Sequence, residues 1–380
     1  MAQRICIDGT VASRRYRGMG AHRYLTSLLD EMERTLRDSN QVRVQVLMPS
    51  LRDVEQASRT QGQGFEFVSS PLMRLRPLWK LGQACMMTAK RLQADVVFLP
   101  FSAPVYFKTA RLAVTIHDLI PLLFSDQYRS PSGRFLQHCV RTCLTRADLI
   151  LTDSEHSKAD MVSRFGVAVD RVVVAYIGFD SDLFGPGKNS SNEWGEVVTK
   201  YGIRRPYVLH VGRLEPRKNL VRLVEACRLL KDRGCDFQLV LCGPPGPASE
   251  DLLQLIRKPG TEGWALCTGA VPDCDLAVLY RQASCCAMPS LYEGFGLPVL
   301  EAMASGCPVM SSNRSSLPEV AGGAALYFDP ESVEEMSAVL EKLLTDSVLR
   351  ETLAKRGLER ARSFSWRECA RTTLAALTAL

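Results

Sequence analysis

A chain of 380 residues exceeds the size at which one hydrophobic core keeps growing, so two domains of ordinary size are expected. Its composition, 46% apolar and 23% charged, excludes a disordered or low-complexity chain. The net charge of +6 is uneven: 24 basic against 18 acidic residues over 1–185, and 23 of each over 186–380, so the whole excess lies in the first half. That points to a surface facing an anionic partner or to a plain solvated face.

No apolar run is long enough to span a bilayer, and the start MAQRICIDGT enters a strand-like stretch rather than a signal peptide's apolar region. A cytoplasmic protein is the expectation. Thirteen cysteines, an odd count without a CxxC pair, sit mostly in apolar runs such as SCCAMPS and FQLVLCG. They read as reduced core thiols rather than a disulfide framework or a zinc site.

Residues 3–8 (QRICID) read as a buried strand, followed by a glycine-bearing loop and an amphipathic helix from about Gly20 to Arg37. Further strands are expected at VRVQVLM, ADVVFLP, LAVTIHD, DLILTD and DRVVVAYIG, with helical stretches between several of them. Such alternation predicts a parallel sheet covered on both faces. Residues 181–205 collect Gly, Pro, Ser and Asn without a sustained period and read as a boundary and linker. A second alternating series follows in YVLHV, FQLVLCG, WALCTG, SCCAMPS and CPVMSS. From Pro330 onward the pattern is helical, with Ser365 and Trp366 opening a last helix.

In open parallel sheets ligands bind beyond the carboxyl ends of the strands, so four loops there carry the candidate chemistry. Between the first strand and helix, Gly18 and Gly20 would let backbone N–H groups approach a phosphate, or would simply serve a turn. The third glycine of a dinucleotide fingerprint falls on Arg23, which argues against NAD. A strand then ends in His117 and Asp118, where a site role and a structural one stand even. After YVLHV, the loop from Gly212 to Asn219 puts Arg213, Arg217 and Lys218 beside a helix start, a natural clamp for a diphosphate. In the fourth loop, Gly294 and Gly296 permit close backbone approach, Pro298 suits a helix's first turn and Gly306 ends that helix. Glu293 in the loop and Glu301 on the helix are placed to bind the hydroxyls of two sugars.

Glu293 and Glu301 in EGFGLPVLE resemble the E-x7-E motif of retaining glycosyltransferases with the GT-B fold, specifically the GT4 family. The stretches GRLEPRKN, VPDCDLAVLY, LPEVAGGAALYFDP, HDLIPL and DSEHSKAD resemble the same family, so the likeness covers nearly the whole chain. It implies an α/β, GT-B protein with two Rossmann-like domains facing across a cleft. These would be an acceptor-side domain over 1–184 joined by a returning helix at 364–380, and a nucleotide-sugar domain over 185–363. It further implies that Arg213 and Lys218 bind the donor's phosphates and Glu293 the donor sugar, near the backbone of Phe295, Gly296 and Leu297. Glu301 would take the ribose, Val271 would lie beside the base and His117 under the donor sugar. Gly18 or Gly20 would approach the phosphates, although RRYRGMGAHRY lacks the Gly-Gly pair of many relatives.

HDLIPL with EPRKN is most similar to mannosyltransferase-type members that build bacterial surface polysaccharides, so GDP-mannose is the favoured donor and a UDP-sugar the alternative. The partners implied are that donor and a glycan or lipid-linked acceptor, with no nucleic acid; no cofactor or metal is expected. Asp180-Ser181-Asp182 and Asp273-Cys274-Asp275 have the letters of a manganese motif, but Asp273 reads better as a helix N-cap with acid in the first turn. The basic stretch Arg74 to Lys80 with Lys90 and Arg91, around Met86 and Met87, suits either an anionic membrane surface or a helix buried against its own domain. Two rival readings are a non-catalytic GT-B scaffold, which would have lost the Glu or Lys positions, and a phosphorolytic GT-B enzyme with pyridoxal phosphate.

Overall fold

The computed structural model describes residues 2–13, 20–37, 42–60, 65–74, 81–187, 191–246, 249–258 and 260–380. It divides into two compact units, Met1–Gly178 with Ser365–Leu380, and Phe179–Phe364. In the first, seven parallel strands stand in the order β3-β2-β1-β4-β5-β6-β7. They are β1 Gln3–Asp8, β2 Val42–Met48, β3 Glu66–Ser69, β4 Val96–Leu99, β5 Arg111–Thr115, β6 Leu149–Thr152 and β7 Val172–Val174. The second unit has six parallel strands in the order β10-β9-β8-β11-β12-β13. These are β8 Tyr207–Val211, β9 Gln238–Cys242, β10 Ala265–Gly269, β11 Cys285–Met288, β12 Val309–Ser312 and β13 Ala325–Phe328.

Central strands such as β4 and β11 are apolar and buried at every position, as a parallel sheet covered on both faces requires. Each order reverses once, between β1 and β4 in one unit and between β8 and β11 in the other. Connections leave the two strands there in opposite directions and open a crevice at their carboxyl ends. The sequence pattern missed β3 and β13, both four-residue edge strands with partly exposed positions.

The stretch read as a linker contains the helix Ser191–Tyr201. Its polar first turn hides the period, and two residues anchor it. Val197 is buried, while the Trp194 ring stacks on Tyr207 at 6.0 Å and carries the Arg205 guanidinium 4.2 Å from its centroid. The last helix, Trp366–Thr378, belongs to the first unit. Ser365 caps it by accepting the Glu368 N–H at 3.2 Å, and it buries Cys369, Ala370, Thr373, Leu374 and Leu377.

All thirteen cysteines are unpaired, and most are buried. Burial pushes the thiols of Cys6, Cys139 and Cys285 up to about 12, so they stay protonated. In the helix Leu81–Arg91, Ala84, Cys85, Met86 and Ala89 point into the core and Met87 is exposed. Its apolar face is therefore taken by its own unit. The rest of the basic stretch, 75–80, lies outside the described residues. Among the described residues no helix is long and apolar enough to cross a membrane.

Candidate active site

The loops that leave β8 and β11 flank the second unit's switch point, and they are knitted into one body. After β8 the chain makes a single turn, Pro216–Lys218, ending on Asn219 at φ 58°. Asn219 tolerates that left-handed backbone better than most residues, and its amide donates to the carbonyls of Pro289 at 3.1 Å and Pro330 at 2.6 Å. The Arg217 carbonyl accepts the Leu291 N–H at 2.9 Å, which ties the first loop to the second.

That turn directs two of the loop's three cations inward. Lys218 Nζ lies 2.6 Å from Glu293 Oε1, and Arg217 Nη1 lies 2.9 Å from Glu293 Oε2 and donates to the Tyr292 carbonyl. The three side chains are 8%, 8% and 10% exposed. Burial alone would push the Glu293 carboxyl up, but the charges of Lys218 and Arg217, with hydrogen bonds from Lys218 and Ser290, bring it down to about 2. Glu293 is thus a carboxylate at neutral pH, a pure acceptor suited to sugar hydroxyls. The trio keeps a net positive charge where little water screens it. Its loop is pinned by Ser315 Oγ, which accepts the Glu293 N–H at 2.9 Å, and by Ser316 Oγ, which serves the Glu293 and Phe295 carbonyls at 3.0 and 2.7 Å.

Arg213 is not part of this trio. Its side chain is 59% exposed and pairs with Glu215 at 3.7 Å. Arg217, counted among the loop's cations but assigned no role in the sequence, is the second partner of Glu293. Which of three neighbouring cations turns inward depends on the turn at Pro216, and spacing alone does not encode it.

Gly296 stands at φ 111°, a backbone that favours glycine, and a methyl there would come within 2.9 Å of the Leu317 side chain. It is the N-cap of the helix Leu297–Ala304, with Pro298 in the first turn. The ring of Phe295 packs edge-on to Phe364 at 5.7 Å. On the helix, Glu301 is buried and accepts the Tyr280 hydroxyl at 3.3 Å. Val271 is partly exposed in the turn between β10 and the helix Asp273–Gln282, two strands from the switch point.

In the first unit, His117 stands just past β5 and Asp153 just past β6. His117 Nδ1 donates to Asp153 Oδ2 at 2.8 Å, and the Tyr24 ring meets the imidazole edge-on at 4.5 Å. Burial favours the neutral ring, yet the Asp153 carboxylate, with help from Asp118 and the Pro100 carbonyl, carries the imidazole pKa above its ordinary value. At the end of β1, Asp8 is fully buried. Its Oδ1 accepts from the Thr10 N–H at 2.9 Å and the Thr10 hydroxyl at 2.6 Å, while Oδ2 has no hydrogen-bond partner among the described residues. Burial pushes this carboxyl up to about 6 against those bonds. Sequence reasoning assigned neither Asp153 nor Asp8, though both end strands that it recognised. Gly20 opens the helix Gly20–Leu36 with open space around it, and Gly18 lies outside the described residues.

Pro272, not Asp273, is the N-cap of the helix Asp273–Gln282; Asp273 is its first residue. Asp275 is engaged by Lys200 at 2.6 Å and by the Tyr201 hydroxyl at 2.8 Å. Asp180 accepts the N–H groups of Asp182 and Leu183 and closes a turn. Both acidic pairs therefore have structural work. Among the described residues no three His, Cys, Asp or Glu side chains converge as a metal site requires.

Residues 19–183 match the family described as Glycosyltransferase Family 4, and residues 198–360 the family described as Glycosyl transferases group 1. The chain is 37% identical over 266 residues to the O-antigen chain mannosyltransferase B of Escherichia coli, which covers 70% of this chain and 69% of that one. It is 32% identical over 270 residues to the serotype-specific mannosyltransferase WbdA of the same organism, covering 70% of this chain but only 33% of the relative. The chain thus spans about a third of WbdA. Among solved structures, Anabaena HepE in complex with UDP-glucose shares the fold over 100% of both chains, at a TM-score of 0.70 and 19% identity. With one family matching each half and a close relative aligned over two thirds of its length, the chain belongs to the GT-B glycosyltransferases of the group 1 and family 4 type.

Proposed function

We propose that this glycosyltransferase moves mannose from GDP-mannose onto a glycan or lipid-linked acceptor in surface polysaccharide synthesis, retaining the donor's anomeric configuration and needing no metal. The observation that carries the reading is the 37% identity to an O-antigen chain mannosyltransferase. In this reading the chain works in the cytoplasm or at the inner face of an anionic membrane, where the basic excess of its first half would hold it.

The site residues take the following parts. Lys218 meets the charge that develops on the leaving diphosphate, and Arg213 adds to it from a more solvated position. Glu293 engages the sugar hydroxyls, held in place by Arg217, while Glu301 takes the ribose. The helix start at Gly296 and Leu297, with the backbone of Phe295, approaches the sugar and phosphates; Val271 lies beside the base. His117 contributes a hydrogen bond to the sugar, and Gly18 or Gly20 a backbone contact to the phosphates. A scaffold protein would have no reason to keep a buried Lys218–Arg217–Glu293 trio, which costs desolvation of three charges.

A second reading, a UDP-hexose donor, is favoured by the UDP-glucose bound in the structurally similar HepE. Thermal melting with added ligand separates the two, since a ligand selective for the folded state stabilises it by mass action. GDP and GDP-mannose are expected to raise Tm more than UDP and its sugars; a larger shift with UDP-sugars reverses the assignment.

A further inference from the structure

Beneath the Lys218–Glu293 pair lies a histidine that the scheme above does not use. His210, in β8, is fully buried, and its Nδ1 lies 2.9 Å from the Ala287 carbonyl. A carbonyl only accepts, so Nδ1 carries the ring proton and Nε2 is a bare lone pair. That Nε2 is buried and makes no hydrogen bond among the described residues. An unpaired buried acceptor is costly, and the fold has kept one at the carboxyl end of the strand that borders the switch point.

The charges that act on this imidazole are those of Lys218 and Glu293. A methyl on Gly212 would sit 3.3 Å from Lys218 Nζ and 3.6 Å from His210 Nε2, so both groups border the space over that glycine. Gly212 is at φ 146°, and the missing side chain leaves that space open. Burial and the Lys218 charge hold the imidazole down to about 4, so at neutral pH the lone pair stays available.

We infer that His210 is a positioning residue for Lys218: its Nε2 accepts one ammonium proton as Lys218 shifts from Glu293 toward the donor's diphosphate, and so aims the remaining N–H groups at the phosphates. An ammonium has three donors and no preferred direction of its own. Glu293 fixes one of them at 2.6 Å, and the role proposed for Glu293 requires its oxygens to turn to sugar hydroxyls. A neutral acceptor buried behind the lysine replaces that support without cancelling its charge.

The inference rests on the nucleotide-sugar reading above, and a double-mutant cycle separates the two. GDP affinity is measured by calorimetry for the wild-type chain, His210→Asn, Lys218→Ala and the double variant, with UDP in parallel. Asn keeps a donor for the Ala287 carbonyl and loses the atom at the Nε2 position. His210→Asn is expected to weaken nucleotide diphosphate binding about tenfold in the wild-type background and not at all in Lys218→Ala, a coupling of about 1.4 kcal/mol. Equal loss in both backgrounds, or no loss in either, overturns the inference. His210→Gln, which carries its amide at the ε position, is expected to bind within about threefold of wild type; a tenfold loss there also overturns it, and this variant decides the matter if His210→Asn does not fold. A wild-type chain that binds neither GDP nor UDP removes the nucleotide reading, and this inference with it.

Discussion

The two units share one architecture but arm the carboxyl edges of their sheets differently. In the second unit the switch point holds permanent charge: Lys218, Arg217 and a Glu293 carboxylate brought down to about 2. In the first, the corresponding edge holds Asp8, whose carboxyl burial pushes up to about 6, and His117, whose pKa is carried above its ordinary value by Asp153 against the effect of burial. One edge is built to present fixed charge, as the proposed stabilisation of a leaving diphosphate demands. The other is built from hydrogen-bonded titratable groups whose pKa values the fold raises. The comparison breaks if the fixed charges prove dispensable or if the first unit's groups do not titrate.

The largest effect is expected at Lys218. Removing one preorganised donor from a developing negative charge costs about a hundred- to a thousand-fold in turnover, or roughly 3–4 kcal/mol of barrier. Lys218→Ala is expected in that range, with Arg217 still neutralising Glu293 so that the fold survives. Exposed Arg213 sits in higher dielectric, so Arg213→Ala is expected to cost less, about tenfold. Steady-state kinetics on the two variants reads the difference; equal losses would mean that burial does not set the strength of these cations.

Next comes Asp8. Its carboxyl is higher in the folded chain than its ordinary 3.8, so the folded state holds this proton more tightly than the unfolded one. Stability therefore falls as pH rises from about 3.8 to about 6, and the cost, about 3 kcal/mol, is fully present above that window. Relative to wild type, Asp8→Asn is expected to gain about that much between pH 4 and pH 7.5 in urea unfolding. A constant difference across that range would show that Asp8 ionises freely.

A smaller change is expected at His117. Its raised pKa contributes stability that is present in full below the ordinary histidine value and lost as pH rises through the folded value. Asp153→Asn is expected to lower the His117 midpoint in an NMR titration and to destabilise the chain more at pH 5.5 than at pH 8.5. An unmoved midpoint would mean that the 2.8 Å contact with Asp153 carries no charge interaction.

Much of this was legible in the sequence because parallel sheets have buried strands that read as apolar runs, and because their ligands sit at the carboxyl ends. QRICID, YVLHV and SCCAMPS announce β1, β8 and β11 directly, and the loops after β8 and β11 contain Lys218 and Glu293. What local pattern could not supply were pairings across the chain. Lys218 and Glu293 are 75 residues apart, and His117 and Asp153 are 36 apart. The helix Ser191–Tyr201 was invisible because Trp194 and Val197, rather than a full apolar stripe, hold it. Pro272 stands at the cap expected of Asp273, with no side chain accepting a bond there; its fixed φ sets the entry to the helix, and Asp273 remains as acid in the first turn.

We propose that protein cations at the second unit's switch point, and no metal, meet the charge on the leaving diphosphate. A transfer assay with GDP-mannose in excess EDTA, with the product anomer read by NMR, tests it most directly. Full activity with a product that keeps the donor's anomeric configuration, lost in Lys218→Ala, is the result expected. Loss of wild-type activity in EDTA with rescue by manganese would contradict the claim, as would near-normal turnover in Lys218→Ala.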